Sequence, residues 1–437
     1  MDDLRIEYDA PNSVYFPGQA VTGKVIIQNR EWIKARFLKI CIHGGAHTGW
    51  SESERRHRTN TRGESESYTE SVNYNATVNY LTGESIAWKS QDGQNRLPAG
   101  TNVFPFAFSL PTNCPPSFEG CHGQIRYSVH VELDRPWKFN KKQKKFFSVV
   151  PAYDLNITPT AINPMVNTVS KNTGLILKKG LVTMTVSLPK RGYVAGEILP
   201  ITINIDNGSK APVRTVRAKM TELSHFHASH GHSTHHTHHK NAEKCVGESR
   251  REVNLAPKTR GQSLLSMKIP AIVPSFECPI ISVDYCISVK LDTDSLFGGT
   301  LKVEFPLIIG TIPIRQMAPL AGSTVPAVYP TVSPSAPPYP VVAGGAVGGP
   351  VYPGSSSAPP YPVVAGGASS VYPSAPPVSP GGAQGTVPSA PPPSYEESMY
   401  AGKAEDSEPF APRYPVYNNL PQDTPAQAPP LPDKNGF

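Results

Sequence analysis

The stretch that decides the fold is Ile125–Leu133, Ile-Arg-Tyr-Ser-Val-His-Val-Glu-Leu, in which apolar and polar side chains alternate at every position. A period of two puts the apolar side chains on one face of an extended strand and the polar ones on the other. The same alternation recurs in Phe104–Leu110, Val182–Leu188, Ile201–Ile205 and Val283–Leu291, and no comparable stretch has the helical period. The sequence therefore predicts an all-β fold of antiparallel sandwiches, each sheet with one buried face.

The first 312 residues contain two copies of one unit. Residues 15–29 (YFPGQAVTGKVIIQN) align without gaps on residues 193–207 (YVAGEILPITINIDN), and the alignment pairs Gly18 with Gly196. A glycine at this place suits a tight turn before a strand. The repeat indicates two tandem sandwiches of the same construction.

The second copy is shorter than the first. The sequence Pro-Ser-Phe-Glu at residues 116–119 returns at 274–277, and the spacing from the opening glycine has shrunk by about 20 residues. The polar stretch His43–Tyr80 of the first copy accounts for this difference, and we predict that it is a loop. The predicted domains are 1–152 for the first sandwich, 153–174 for a connector, 175–312 for the second sandwich and 313–437 for a tail.

The tail differs from the rest of the chain in composition and charge. It holds 29 of the 48 prolines and carries a net charge of about −3, against about +10 for residues 1–312. A segment rich in Pro, Gly, Ala and Ser cannot bury enough apolar surface to offset the entropy lost on ordering, so we predict a disordered tail. No apolar run is long enough for a membrane span and the start lacks a signal peptide, which favours a cytoplasmic protein.

Four features carry a family resemblance. They are Pro17-Gly18 in the opening turn, the run CHGQIRYSVHVELDRPWKFNKKQKK at Cys121–Lys145, Tyr-Asp-Leu-Asn at Tyr153–Asn156, and Gly192-Tyr193 with Gly196-Glu197. Together they resemble the arrestin-domain-containing proteins, or α-arrestins, over essentially all of residues 1–312. The resemblance implies two arrestin-like, immunoglobulin-type β-sandwiches that link membrane-protein cargo to the ubiquitin machinery. Since no catalytic set is recognised in the sequence, we expect neither enzyme activity nor a cofactor.

The sharpest motif of the tail is a PPxY, formed by Pro392, Pro393, Ser394 and Tyr395. One turn of polyproline II is three residues, so Pro392 and Tyr395 project from the same side, as WW domains require of their ligands. The alternative is chance in a proline-rich segment. The α-arrestin resemblance implies that the motif recruits WW-domain HECT-type E3 ubiquitin ligases.

A second motif, Pro-Ser-Ala-Pro, occurs three times in the tail. It resembles the P-[ST]-A-P peptides that bind the ESCRT-I complex, whereas the composition of the tail is the alternative explanation. Several linked copies can gain avidity through a high effective concentration. The residues concerned are Pro334, Ser335, Ala336, Pro337, Pro373, Ser374, Ala375, Pro376, Pro388, Ser389, Ala390 and Pro391.

A dense basic stretch follows the alternating strand. Its cations, which Trp137, Phe139, Phe146 and Phe147 interrupt, are suited either to anionic lipid headgroups or to phosphorylated cargo tails. A solvated strand face with a turn is the alternative, and no nucleic-acid-binding module is recognised. The candidate residues are Arg135, Lys138, Lys141, Lys142, Lys144 and Lys145.

Other clusters carry weaker signals. His225–His239 contains eight of the 13 histidines, and we predict a solvated loop insertion rather than a metal site, because nothing fixes the ligand geometry. No phosphate loop, nucleophile with its base or motif-bearing carboxylate pair is recognised, so neither a catalytic residue nor a metal ligand is predicted.

The sequence thus favours an α-arrestin adaptor, peripheral to the plasma membrane and endosomes, that recruits ligases for ubiquitination, endocytosis and endosomal sorting of membrane proteins. One alternative makes ESCRT-I the main partner and vesicle budding at the plasma membrane the function. Another is a retromer-like trafficking scaffold that needs no ligase. Replacement of Tyr395 separates the first hypothesis from the other two.

Overall fold

The computed structural model describes residues 3–59, 63, 65–90, 94–172, 180–229, 237–293, 300–315 and 410–418. Within these ranges the chain forms mainly antiparallel β-sheets and two short 3₁₀ helices, without an α-helix. The predicted all-β fold is therefore confirmed. A search of the same residues for a helix long and apolar enough to cross a membrane finds none.

The first sandwich begins at Asp3 and ends at Val149. One sheet has the order β1-β3-β8, and the opposite sheet contains β6-β5-β10-β11-β2; β9 pairs with β10, and β4 pairs with β7. Ile27, Ile125 and Tyr127, all without exposed surface, lie in the core. The strands are β1 Asp3–Tyr8, β2 Val14–Tyr15, β3 Ala20–Asn29, β4 Ile33–Lys34, β5 Phe37–Thr59, β6 Ser65–Lys89, β7 Arg96–Leu97, β8 Gly100–Ser109, β9 Phe118–Glu119, β10 Gly123–Leu133 and β11 Lys141–Val149.

The second sandwich repeats this arrangement. Its sheets have the orders β12-β13-β15-β18 and β14-β21-β20-β16, with β17 paired to β16 and β19 to β20. The edge strand β12 lies within the predicted connector. The strands are β12 Met165–Asn172, β13 Leu181–Leu188, β14 Gly192–Val194, β15 Ile198–Asn207, β16 Val213–Ser229, β17 Thr237–Leu255, β18 Thr259–Lys268, β19 Phe276–Glu277, β20 Ile281–Thr293 and β21 Leu301–Gly310.

The repeat extends to buried hydrogen bonds. The Tyr127 hydroxyl donates to the Pro115 carbonyl oxygen at 2.8 Å, and the Tyr285 hydroxyl donates to the Val273 carbonyl oxygen at 2.7 Å. Each bond holds the loop that precedes the short strand β9 or β19. Because an unpaired buried hydroxyl destabilises a fold, the same bond in both copies accounts for a tyrosine at both positions.

The prediction of a loop at His43–Tyr80 is wrong. This stretch belongs to a long antiparallel hairpin of β5 and β6. From Val72 to Tyr80 its apolar and polar residues alternate, which is the strand period, and the many Ser, Asn and Thr residues between obscured that signal. Val72 and Tyr74 are buried against Ala228 of β16, so the alternating face packs on the second sandwich.

This hairpin joins the two sandwiches into a continuous sheet. Asn75 of β6 pairs with Ser229 of β16, so the strand order runs from one sandwich into the other. The Lys240 ammonium forms an ion pair with the Glu52 carboxylate at 2.7 Å across the same contact. The long hairpin therefore positions the sandwiches as one body.

The connector holds the chain where the second sandwich ends. It contains the 3₁₀ helices Leu155–Ile157 and Pro159–Ile162. Asp154 forms a parallel bridge with Ile312, and the Asn156 side chain accepts a hydrogen bond from the Arg315 amide at 2.8 Å. The Tyr-Asp-Leu-Asn sequence thus fixes the residues from which the tail begins.

Candidate interaction surfaces

The tail motifs lie outside the described residues. This holds for the PPxY at Pro392–Tyr395 and for the Pro-Ser-Ala-Pro copies at Pro334–Pro337, Pro373–Pro376 and Pro388–Pro391. Their partner binding stays a prediction. The described residues that flank them along the chain are Arg315 and Phe410–Asn418.

The basic stretch lies in the hairpin of β10 and β11, and the strand register places its cations on different faces of the sheet. Lys142 and Lys144 pair with Glu132 and His130 on the outer face of the sheet. Lys145 pairs with the buried Val129 and therefore points inward. Only part of the cations predicted from the sequence can consequently form one surface.

Lys145 has internal partners. Its ammonium donates to the Ile6 carbonyl oxygen at 2.9 Å and lies 5.3 Å from the centre of the Tyr8 ring. Both residues belong to β1 in the opposite sheet. These contacts between the sheets engage the charge, so Lys145 is unsuited to an external anion.

Arg135, Lys138 and Lys141 lie at the turn of the hairpin with two exposed aromatic side chains. Trp137 and Phe139 are each 96% exposed. Trp137 adopts a left-handed backbone conformation with φ of +64°, which is uncommon for a large side chain. We call residues 135–141, together with the half-exposed Trp32 of the adjacent loop, the basic-aromatic tip.

Polar contacts shape the basic-aromatic tip. The Asn140 side-chain oxygen accepts from the Arg135 amide at 3.1 Å, and its nitrogen donates to the Glu132 carboxylate at 2.7 Å. At the base of the turn, the Arg36 guanidinium donates two bonds, at 2.5 and 2.9 Å, to the Asp134 carboxylate. Such bidentate pairs are geometrically specific, so the turn presents its aromatic rings on a fixed base.

The two described ends of the histidine-rich stretch lie in paired strands, which corrects the prediction of a loop insertion for these residues. His225 and His227 belong to β16, and His238 and His239 belong to β17. Burial and the nearby His239 and His225 lower the pKa of His227. A search of the described residues for three or more His, Cys, Asp or Glu side chains placed to hold a metal ion finds no such group. Residues 230–236 lie outside the described residues.

A segment of the tail packs on the two sandwiches. In Phe410–Asn418, which we call the docked segment, the Tyr414 hydroxyl donates to the Ser117 carbonyl oxygen at 2.9 Å. The Tyr417 hydroxyl donates to the Thr311 carbonyl oxygen at 2.7 Å. The first acceptor belongs to the first sandwich, whereas Thr311 directly follows the last strand of the second.

The ring of Tyr414 packs against the main hydrophobic core. Burial raises its pKa, and the neighbouring carboxylates of Glu222 and Glu119 raise it further. Tyr414 is therefore a neutral hydrogen-bond donor in this environment. No motif in the sequence predicted the docking, because a short segment with two prolines has neither a helical nor a strand period.

Comparisons with known proteins agree with the two-sandwich architecture. Residues 4–156 match the family model of the arrestin (or S-antigen) N-terminal domain, and residues 178–314 match that of the arrestin (or S-antigen) C-terminal domain. These two matches cover both sandwiches.

Individual relatives carry the same domain name. The chain is 29% identical over 317 residues to Arrestin domain-containing protein 17 of Caenorhabditis elegans, which covers 72% of this chain and 71% of the relative. It is 29% identical over 309 residues, 70% of each chain, to Arrestin domain-containing protein 4 of Mus musculus. It is 30% identical over 248 residues to Arrestin domain-containing protein 1 of Mus musculus, with 55% and 54% of the two chains covered.

Proposed function

The chain belongs to the arrestin-domain-containing, or α-arrestin, family, and from this premise we propose that it is an adaptor that recruits WW-domain HECT-type E3 ubiquitin ligases to membrane-protein cargo. Ubiquitination of the cargo then leads to its endocytosis and endosomal sorting. The observation that carries the proposal is the PPxY at Pro392–Tyr395 in a chain with two arrestin domains. The adaptor supplies proximity, and the recruited ligase supplies the chemistry.

The PPxY fits this role physically. A WW domain binds a polyproline II peptide in an aromatic-lined groove, and such a peptide loses little conformational entropy on binding. The proline and the tyrosine of the motif lie one turn apart and can enter that groove together. Residues 316–409, which contain the PPxY, have the composition of a disordered segment, which would let a bound ligase reach lysines at varied distances.

The test is a pulldown from cytosol with the full chain, read by mass spectrometry. Tyr395→Ala is expected to lower the recovery of WW-domain ligases at least tenfold, because the motif loses its tyrosine. Tyr339→Ala is the matched control, since Pro337-Pro338-Tyr339 lacks the residue between prolines and tyrosine and is expected to keep the ligases. Equal ligase recovery with Tyr395→Ala and the wild type would contradict the proposal.

ESCRT-I recruitment is the second candidate function, because Pro-Ser-Ala-Pro occurs three times in the tail. In the same pulldown, joint replacement of Pro334, Pro373 and Pro388 by alanine is expected to remove ESCRT-I and keep the ligases. Loss of vesicle release in this variant alone would favour budding as the main function. Recovery of neither partner with the wild type would favour a ligase-independent scaffold.

The third Pro-Ser-Ala-Pro ends at Pro391, and the PPxY begins at Pro392. With about 3.1 Å per residue in polyproline II, two globular domains cannot occupy both motifs at once. We therefore expect mutually exclusive binding on a peptide of residues 388–395. A ternary complex on this peptide, seen by analytical ultracentrifugation, would contradict the expectation.

The basic-aromatic tip suits a contact between the adaptor and an anionic membrane. Trp137 and Phe139 are almost fully exposed among Arg135, Lys138 and Lys141. Aromatic rings favour the headgroup level of a bilayer, and each nearby cation adds about 1 kcal/mol at an anionic surface. A phosphorylated cargo tail would use the cations but leave the two rings in water, so the exposed rings favour lipid.

A further inference from the structure

We propose that the junction of the two sandwiches is a peptide-binding surface for an extended segment with two tyrosines three residues apart, and that its resident occupant is the chain's own docked segment. The docked segment bonds to both sandwiches. The surface recognises phenol groups through backbone carbonyl oxygens. Its ligand class is therefore an aromatic, extended peptide rather than an acidic or phosphorylated one.

The first half of the docked segment contacts the first sandwich. The ring of Phe410 lies 5.1 Å from that of Phe146. The Arg413 amide donates to the Ser148 hydroxyl oxygen at 2.9 Å, and its guanidinium donates to the Asn12 carbonyl oxygen at 3.3 Å. Backbone and side-chain bonds together fix the direction in which the segment runs.

Tyr414 lies where the two sandwiches meet. Its hydroxyl donates to the first sandwich at Ser117, and the negative charge of Glu222 in the second sandwich contributes to its raised pKa. The Ser117 hydroxyl also accepts from the Val149 amide at 2.9 Å, which fixes the acceptor loop to β11. The phenol therefore meets a carbonyl oxygen whose position the fold determines.

The second half contacts the second sandwich through its backbone. The Tyr417 amide donates to the Ala195 carbonyl oxygen at 2.9 Å. A Cβ atom on Gly196 would lie 1.9 Å from the Tyr417 carbonyl oxygen, so the segment comes as close as a glycine allows. The Tyr417 ring packs against the small cluster of Leu155, Ala161 and Val194. Both the side chain and the backbone of Tyr417 thus make close contacts with the second sandwich.

The docking has a consequence that rests on the proposed function. Both flanks of residues 316–409 lie at the junction, because Tyr417 bonds to Thr311 and Arg315 is held by Asn156. Tyr395 precedes Phe410 by 15 residues, which span at most about 50 Å when fully extended. A ligase on the PPxY is then held within that distance of the junction.

Hydrogen exchange on the full chain tests the docking without any ligase. In the wild type, the Arg413 and Tyr417 amides are expected to exchange at least tenfold more slowly than the same amides in a free peptide of residues 408–420. The Tyr414→Ala/Tyr417→Ala variant is expected to lose this protection, whereas Tyr400→Ala keeps it. Free-peptide exchange rates in the wild type would overturn the proposal.

A labelled peptide of residues 408–420 tests the surface itself. The Tyr414→Ala/Tyr417→Ala chain keeps the surface but lacks its occupant, so it is expected to bind the peptide at least tenfold more tightly than the wild type. The same peptide with both tyrosines replaced by alanine is expected not to bind. Equal affinity of wild type and variant, or no binding to either, would overturn the proposal. Neither result depends on Tyr395, so a failure here is distinguishable from a failure of ligase recruitment.

Discussion

Two aromatic segments of this protein have opposite environments. In the docked segment, the phenols of Tyr414 and Tyr417 each reach a carbonyl oxygen and their rings pack against apolar clusters. In the basic-aromatic tip, Trp137 and Phe139 are 96% exposed. Both segments are short and contain proline and arginine beside the aromatic residues. Local composition therefore does not decide whether an aromatic side chain is buried or exposed. That depends on whether the fold provides a complementary surface with hydrogen-bond acceptors.

The difference has a thermodynamic meaning. A large ring that stays exposed gains no hydrophobic free energy when the chain folds. It can therefore contribute all of that free energy when a partner removes it from water. A docked ring has already contributed that gain, about 1.5 kcal/mol for substantial burial, and its hydroxyl adds about 1 kcal/mol. The tip is thus suited to an external partner, whereas the docked segment has an internal one.

The largest expected effect tests the exposed side of this comparison. Trp137→Ser/Phe139→Ser removes two rings, each worth about 1.5 kcal/mol at a membrane interface, so binding to phosphatidylserine-containing vesicles should fall by about 100-fold. The free energy of unfolding should change by less than about 0.5 kcal/mol. Vesicle cosedimentation and chemical denaturation measure the two quantities.

Ile157→Ser is the matched control, because Ile157 is 79% exposed but lies in the connector. It should leave vesicle binding unchanged. If the tip variant keeps its vesicle binding but loses binding to a phosphorylated peptide, the tip contacts phosphorylated cargo and the lipid proposal is wrong.

The next effect tests the docked side. Tyr414→Ala removes a packed ring and its hydrogen bond, which should weaken docking by about 2.5 kcal/mol, or about 70-fold. Tyr414→Phe keeps the ring and loses only the bond to Ser117, so about 1 kcal/mol and a fivefold change are expected. Exchange rates of the Arg413 and Tyr417 amides measure both, and equal effects of the two variants would contradict the role of the phenol.

A smaller effect compares equivalent glycines of the two copies. Gly18 and Gly196 have φ of +84° and +90°, so alanine costs about 1 kcal/mol of backbone strain at either position. An added Cβ on Gly18 would lie 3.4 Å from its nearest neighbour, a Thr112 methyl carbon, whereas on Gly196 it would collide with Tyr417. Only Gly196→Ala should therefore speed exchange of the Tyr417 amide, by about tenfold. If Gly18→Ala speeds exchange of the Tyr417 amide equally, backbone strain rather than the collision with Tyr417 explains the effect.

The sequence predicted most of the fold but only part of the surfaces. The alternation around Tyr127 predicts a strand because it reports burial of one sheet face, and the repeat of Gly18 at Gly196 predicts a second copy. The His43–Tyr80 part of the β5–β6 hairpin was missed because many Ser, Asn and Thr residues obscure the alternation that buries Val72 and Tyr74 against Ala228.

The site shows the same division. Arg135 and Lys138 at the tip could be identified as cationic from the sequence, but the inward direction of Lys145 depends on strand register. The docked segment could not be predicted, because its partners Ser117 and Thr311 are far from it in sequence and only the folded sandwiches place them beside it. Local patterns indicate elements, whereas docking depends on where those elements meet.

The smallest expected effect concerns the buried carboxyl group of Glu222. Burial raises the pKa of Glu222, although Lys244 and the hydrogen bond from Tyr285 oppose the shift. The folded chain then binds this proton more tightly than the unfolded chain does, so the free energy of unfolding falls as pH rises from the ordinary carboxyl pKa through the raised one. Glu222→Gln should remove this loss and stabilise the chain at pH 7 by less than about 1 kcal/mol.

Thermal unfolding at pH 7 and at about pH 3, where the carboxyl is almost fully protonated in both states, measures the Glu222 effect. The gain should be present at pH 7 and absent at the lower pH. Glu277→Gln, at an exposed carboxyl, is the control and should show no such difference. Because the charge of Glu222 acts at Tyr414 and not at the tip, its ionisation should affect the docked segment rather than Trp137. A pH response of Trp137 fluorescence with no change in Tyr417 amide exchange would reverse this assignment and place the sensitive group at the tip.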